Sequence, residues 1–328
     1  MADARVDDAA VGSAPEDTAE ASGARASGEA TADGAASAAV EHTVDERRLR
    51  AFAAGVGDVS APLFDLDSPD GIVAHPIFPV VIEWPLVVAG PPGLGLDDDA
   101  VHAGLHVSHE IAWHRPIRPG DTLRTTGRIE TLEQRSAGLL AVFVLLTTGP
   151  GGEPVVESRQ GILYRGSTLP DGGSPAPATP DSTSPGSELR SEPPPDPEEH
   201  PAEPTDDVGA FRVEEADAVV YSECSGIWNP IHTDPRAARL AGLPRPVLHG
   251  TATLARVVSA LVEARLEGDP TRVARLGCRF TAPLYPGDRA TVAATDPRSP
   301  SGDHRALTFT ARKDDGTVIL DDGFIEVA

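Results

Sequence analysis

The side chains whose types and spacing could do chemistry lie between Tyr221 and Gly250. This stretch opens Tyr221-Ser-Glu-Cys-Ser225-Gly226-Ile227-Trp228-Asn229-Pro230-Ile231-His232-Thr-Asp234-Pro235. It closes on Ala241-Gly242-Leu243-Pro244-Arg245-Pro246-Val247-Leu248-His249-Gly250. Asn229-Pro230 starts a turn that stops a helix ending near Ser225, and it places His232 just past that turn. Pro235 opens a short helix that Gly242 closes. Pro246 to Gly250 leads into a longer helix, whose first N–H groups have no partner within the helix and lie at the positive end of its dipole. An imidazole on a fixed turn beside such a helix start suits proton transfer on an acyl thioester, with the N–H groups holding the oxyanion. Asp234 reads as a helix-starting acid rather than a catalyst.

Several elements must position this stretch. Ala216, Val219, Val220 and Cys224 recur at helical spacing ahead of it. After it, Leu254, Val257, Val258, Leu261 and Val262 form the apolar face of a helix starting near Thr251, which Gly268 and Pro270 end. Strands are expected over 273–280, 289–294, 306–312 and 318–327. One apolar helix followed by antiparallel strands suggests an α+β arrangement, a sheet curled around a helix.

The chain repeats this plan. Residues 116–121 read Pro-Ile-Arg-Pro-Gly-Asp and residues 283–288 read Pro-Leu-Tyr-Pro-Gly-Asp, an offset of 167. At that offset Trp113 faces Phe280, and both blocks continue as strand, hairpin, strand. The two globular blocks, 44–165 and 208–328, are of nearly equal length, so the chain reads as a duplicated domain. His106, His109 and His114 lie on a strand-like segment of the first block. Strand alternation sets 106 and 109 on opposite faces, so no metal site is expected there.

Composition narrows the partners. There are 27 Lys plus Arg against 51 Asp plus Glu, a formal charge of −24. Such an excess of acid argues against nucleic acid and against an anionic membrane face. Two segments carry most of it. Residues 1–43 hold nine acids and two Arg and few large apolar side chains, and read as a disordered acidic tail. Residues 166–207 hold ten acids, one Arg and 11 of the 32 Pro, and read as an extended disordered linker. Cys224 and Cys278 read as small thiols in the fold; two Cys make neither a disulfide framework nor a four-thiolate zinc site. With no apolar signal core and no spanning stretch, a cytoplasmic protein is expected.

The 221–250 stretch closely resembles the MaoC-like family of hot-dog dehydratases, which includes (R)-specific enoyl-CoA hydratases. That family's signature runs roughly Tyr-x-x-x-Ser-Gly-Asp-x-Asn-Pro-Leu-His-x-Asp-Pro, then Ala-Gly and Pro-Ile-Leu-His-Gly. Tyr221, Ser225, Gly226, Asn229, Pro230, His232, Asp234, Pro235, Ala241, Gly242, Pro246, Leu248, His249 and Gly250 match it. A worn copy lies in the first block, at Gly57-Asp58-Val59-Ser60-Ala61-Pro62-Leu63-Phe64 and Ala74-His75-Pro76-Ile77-Phe78-Pro79. The resemblance implies a double hot-dog fold, two antiparallel sheets each wrapped around a long central helix, with a degenerate site in 44–165 and the working one in 208–328. It implies addition of water to a 2-enoyl-CoA, or an acyl-carrier-protein thioester, with no cofactor and no metal. It assigns His232 the catalytic imidazole and Asn229 a supporting position. His249 and Gly250, at the helix start, are candidates for the substrate side, although His249 reads first as a helix-start residue whose imidazole satisfies backbone. Arg245, like Arg236 and Arg239, suits the phosphates of CoA or is ordinary surface charge.

One residue departs from the pattern: Ile227 stands where the family has its catalytic Asp, and isoleucine cannot move a proton. Three readings stay open. Glu223, one turn earlier, replaces the acid if the helix continues; or His232 works alone with a water held by Asn229; or the site binds acyl thioesters without hydrating them, as a partner subunit would, in a homodimer or hetero-oligomer. A hot-dog thioesterase ranks last, since 251–262 carries no carboxylate. No Gly-x-Ser-x-Gly elbow, phosphate loop or dinucleotide fingerprint is present.

Overall fold

The computed structural model of the chain describes residues 26–29, 37–90, 96, 98–168, 206–295 and 305–328. The N-terminal half runs β1 (Ala26–Glu29), β2 (Ser37–Thr43), α1 (Glu46–Val56), α2 (Ala61–Phe64), α3 (Pro79–Val88), α4 (Asp98–His102), β3 (Leu105–Trp113), β4 (Thr122–Arg135), β5 (Gly138–Thr148) and β6 (Pro154–Arg165). The C-terminal half runs β7 (Asp206–Arg212), α5 (Asp217–Ser225), α6 (Pro235–Leu240), α7 (Gly250–Arg265), β8 (Val273–Phe280), β9 (Arg289–Ala294), β10 (Arg305–Lys313) and β11 (Val318–Val327).

The strands form one antiparallel sheet in the order β1-β2-β4-β5-β6-β3-β8-β11-β10-β9-β7. This corrects the expectation of two sheets, each wrapped around its own long helix. The physical reason is edge pairing. β3 and β8 would each leave a row of unpaired backbone groups, and they satisfy one another, with Ser108 opposite Arg279, Glu110 opposite Gly277 and Ala112 opposite Arg275. Arg275 fastens the junction from the side, bonding Glu110 on β3 and Glu326 on β11. The helices are unequal as well. α7 has 16 residues, while α3 has 10 and carries Pro85 inside it.

Apart from β1 at one edge, β2-β4-β5-β6-β3 mirrors β7-β9-β10-β11-β8 about the centre of the sheet. The residues paired at the centre, Glu110 and Gly277, differ by the same 167 positions as the two Pro-Gly-Asp motifs. Those motifs fold alike. Gly120 (φ 89°) and Gly287 (φ 93°) both take the left-handed turn. Asp121 accepts from the Arg118 amide and Asp288 from the Tyr285 amide, at 2.9 and 3.0 Å.

Two expectations shift in detail. The last part of the acidic segment, Ser37–Thr43, is a strand on β4, because Ala39 and Val40 bury against the sheet. The rest of that segment outside β1, and residues 169–205, lie outside the described residues. The face of α5 is also not the one expected. Val219 and Val220 are exposed, whereas Ala218, Tyr221, Ser222 and Ser225 are buried. α5 packs on α1 of the other half, where Gly55 gives room to Cys224, and Tyr221 reaches the ring of Phe52. α7 turns Leu254, Val257, Val258, Leu261 and Val262 inward as its pattern requires. Among the described residues, no helix is long and apolar enough to cross a membrane.

Candidate active site

A cavity of about 490 Å³ lies between the halves. From the C-terminal half Ile227, Asn229, His232, His249, Gly250 and Phe280 line it. From the N-terminal half come Val80, Trp84, His102, His106, Gln160 and Tyr164.

Local turns place the C-terminal group. Gly226 (φ 73°) closes α5 in the left-handed conformation. The chain then passes Ile227, which is 5 % exposed. Asn229 caps the 3-10 turn Pro230–His232, its Oδ1 accepting from the Ile231 amide. Its Nδ2 donates to the His102 carbonyl at 2.8 Å, tying this turn to the other half. Both ends of the Asn229 amide are thus engaged in holding this loop.

His232 Nδ1 lies 2.7 Å from the Val247 carbonyl, which can only accept, so Nδ1 carries the proton. Nε2 is then the lone-pair nitrogen of a neutral ring whose wall is the cavity. Burial lowers the His232 pKa to about 4, against the raising effect of the Val247 carbonyl. Its ring stacks on that of His249 at 3.6 Å between centroids. His249 is the N-cap residue of α7, with Nε2 3.2 Å from Ser222 Oγ. Burial first, then the neighbouring His232, hold His249 well below its ordinary pKa, against the Ile227 backbone. Two stacked imidazoles disfavour each other's charge, so both stay neutral. Beside them α7 begins at Gly250, and Tyr221 donates to Thr251 Oγ1 at 2.9 Å. A Cβ on Gly250 would meet the Phe280 ring at 3.2 Å. The glycine thus leaves the helix start open to the cavity.

Other sequence-derived candidates lie elsewhere. Glu223 is exposed and outside the cavity lining, and Gly226 ends the helix before Ile227, so the shared face it required does not form. Arg245 is exposed, with its guanidinium 5.3 Å from the centre of the Tyr285 ring, also outside the lining. Asp234 caps α6 and pairs with Arg236. The lining contains no Asp or Glu among the described residues.

The N-terminal copy has been rebuilt. Gly57 (φ 82°) closes α1 as Gly226 closes α5, and Asp58 follows it as Ile227 follows Gly226. Phe64 lies under the Arg50 guanidinium. His75 Nε2 is 3.0 Å from Ser259 Oγ and 4.0 Å from Asp58, and its Nδ1 accepts from the Ile77 amide. None of these residues lines the cavity.

Sequence reasoning missed the N-terminal wall. A bulge between His106 and Ser108 breaks strand alternation, so the two histidines expected on opposite faces meet, His109 Nδ1 lying 3.2 Å from His106 Nε2. Among the described residues no group of three side chains could hold a metal. Glu83 on α3 is fully buried; Ser158 Oγ donates to it at 2.5 Å and Gln160 Nε2 at 2.6 Å. A lone acid inside an apolar helix carried no sequence signal of this role.

Comparison with known proteins follows the same division. A family model described as MaoC like domain matches residues 196–314, and one described as FAS1-like, dehydratase domain region matches residues 32–158. An enoyl-CoA hydratase of Mycobacterium tuberculosis is 30 % identical over 201 residues, 61 % of this chain and 63 % of that protein. The peroxisomal enoyl-CoA hydratase 2 of Arabidopsis thaliana is 42 % identical over 77 residues, 24 % of this chain and 25 % of that one. The chain thus spans less than two thirds of the length of either relative. The crystal structure of a MaoC-like dehydratase from Phytophthora capsici superposes with a TM-score of 0.68 at 25 % identity, covering 89 % of this chain and 95 % of that one. With the signature around His232 set at the mouth of the long helix, the C-terminal half carries a MaoC-like domain, and the N-terminal half across the cavity matches a FAS1-like dehydratase region.

Proposed function

We propose that the protein adds water reversibly to a 2-enoyl-CoA thioester, giving a 3-hydroxyacyl-CoA, with His232 as the proton-transfer group. The observation that carries this reading is the fixed tautomer of His232, whose Nε2 is left for the cavity beside the start of α7. In the addition, Nε2 takes a proton from water as the water oxygen bonds C3. The C2–C3 π pair moves to C2, and the thioester oxygen carries the developing charge. Amides of the first turn of α7 hold that oxygen. The proton then passes to C2 and the imidazole returns to its neutral form. Ile227 leaves His232 without the paired carboxylate, so the reaction runs on one imidazole. The duplicated halves divide the work, the N-terminal one shaping the acyl pocket, and the thioester is met in the cytoplasm.

A second reading rests on one specific observation, the absence of any carboxylate from the described lining. In it the protein binds acyl thioesters without hydrating them, as the partner subunit of a dehydratase. Turnover of trans-2-enoyl-CoA thioesters, followed as loss of the conjugated thioester absorbance, separates the two. The hydratase reading expects turnover by the wild type. The binding reading expects none, with activity appearing only in Ile227→Asp.

A further inference from the structure

The wall opposite His232 carries polar groups that an apolar acyl pocket has no use for. α3 supplies Val80, Trp84, Val87 and Val88 to the cavity, and β6 supplies Ile162 between Gln160 and Tyr164. Into this apolar surface the fold sets Gln160, 4 % exposed. The amide is oriented from behind. Glu83, with no exposure, accepts from Gln160 Nε2 at 2.6 Å through one oxygen and from Ser158 Oγ at 2.5 Å through the other. In its ionised form, favoured above about pH 7, Glu83 only accepts, so it fixes the NH2 end of Gln160 toward itself and leaves Oε1 as the free end. Gln160 lines the cavity, and no described group donates to that oxygen. Across the strand pairing, Gln160 sits opposite His109. His109 is 1 % exposed, its Nδ1 meets His106, and its Nε2 is buried without a partner. His106 itself lines the cavity, with its ring 4.8 Å from that of Phe280. Burying the bare nitrogen of His109 is unfavourable, and Glu83 is tolerated in the wall only because two donors meet it.

We infer that Gln160, held by Glu83, is a specificity-determining residue that accepts a hydrogen bond from a hydroxyl on the acyl chain, so that the preferred substrates are hydroxylated acyl thioesters. This rests on the hydratase reading and deepens it by naming the acyl class. Gln160 belongs to the N-terminal wall, whereas His232 and Gly250, which serve the reacting end, belong to the C-terminal one. The donor it meets is therefore placed on the chain beyond the reacting carbons. An amide N–H of the thioester arm offers the same donor chemistry, and the experiment separates the two sources.

Binding of saturated acyl-CoAs, matched in length and differing only in one chain hydroxyl, is measured by calorimetry on the full chain. The hydroxyl is placed beyond C3, since a 3-hydroxyacyl-CoA would itself be dehydrated; the remaining saturated thioesters neither gain nor lose water at the site, so the result stands apart from turnover. The wild type is expected to bind the best hydroxylated member of the series at least about tenfold more tightly than its plain counterpart, the low end of the loss when a buried acceptor is left unpaired. In Gln160→Leu that ratio falls to about one. In Glu83→Gln, which keeps the volume but can present either amide end to Gln160, the ratio also falls while the unfolding midpoint shows the fold intact. Glu83 is a positioning residue, and loss of discrimination with a retained fold is the readout a purely structural role would not give. Equal binding of every pair by the wild type overturns the inference. So does a Gln160→Leu variant that weakens plain and hydroxylated chains equally, which assigns the bond to the thioester arm. If Gln160→Leu fails to fold, the Glu83→Gln ratio alone decides.

Discussion

Among single residues, His232 and Ile227 decide what the site can do. A neutral imidazole with its tautomer fixed by Val247 can serve as base, and general-base groups typically contribute about 10²–10⁴-fold to rate. His232→Ala is therefore expected to lower kcat for enoyl-CoA hydration at least ~100-fold, with the unfolding midpoint little changed, in a steady-state assay. Glu223→Gln is expected to leave kcat and KM unchanged, since Glu223 faces solvent away from the cavity. Loss of activity in that variant would place the acid on the wrong side of the helix for this account. Ile227→Val removes one methylene from a packed side chain and is expected to cost about 0.5–1.5 kcal/mol in urea unfolding while activity persists.

At the scale of elements, two glycines set the geometry. Gly226 takes φ 73° to end α5, with nothing near its missing Cβ, so strain rather than crowding governs a substitution. Gly226→Ala is expected to destabilise the fold by about 1–2 kcal/mol, read by urea titration. Gly250 is the opposite case. It lies at the first turn of α7, where alanine is a better helix former, but a Cβ presses on Phe280 at the cavity wall. Gly250→Ala is expected to keep or raise the unfolding midpoint while KM rises several-fold. The local signals that place these turns were legible in the sequence: Asn-Pro before His232, Pro after Asp234, Gly242 and Gly268 after the helices they end; Gly226 as the residue that closes α5 was not read from it. The buried face of α5 was not. Val219 and Val220 follow helical spacing, yet α1 covers the other side through Gly55 and Phe52, a contact between halves that no local pattern records. The meeting of His106 and His109 was likewise hidden, because the bulge reverses alternation within β3, which has no glycine or proline of its own; the glycine at the bulge, Gly161, lies on the paired strand β6.

At the scale of the molecule, the repeat at offset 167 was legible and gave the mirrored strand order. The fusion of the halves into one sheet was not, because it depends on β3 and β8 finding each other's edges rather than on either strand's own pattern. Buried ionisable groups give the whole fold a pH dependence. His75, His106 and His232 are each held at about 4, burial being the first cause in every case. Their unfolded value is about 6.5, so the unfolded state binds more protons between about 4 and 6.5. Their contribution is complete above about pH 6.5 and is lost as pH falls through that window. Glu83 acts in the other sense: burial raises it to about 7, against the bonds from Ser158 and Gln160, so its contribution fades as pH rises from about 4.5 to 7. Three histidines outweigh one acid. The thermal midpoint is expected to fall steadily from pH 6.5 to pH 4.5, and Glu83→Gln is expected to steepen that fall. A flat profile would mean that these imidazoles are not buried neutral.

The most direct measurement is hydration of a panel of trans-2-enoyl-CoA thioesters by the wild type, His232→Ala and Ile227→Asp, followed as loss of the conjugated thioester absorbance. The wild type is expected to turn over at least one member of the panel, and His232→Ala to lose about 100-fold or more. A silent wild type, with turnover appearing only in Ile227→Asp, would contradict that expectation and leave a thioester-binding protein built on a dismantled active site.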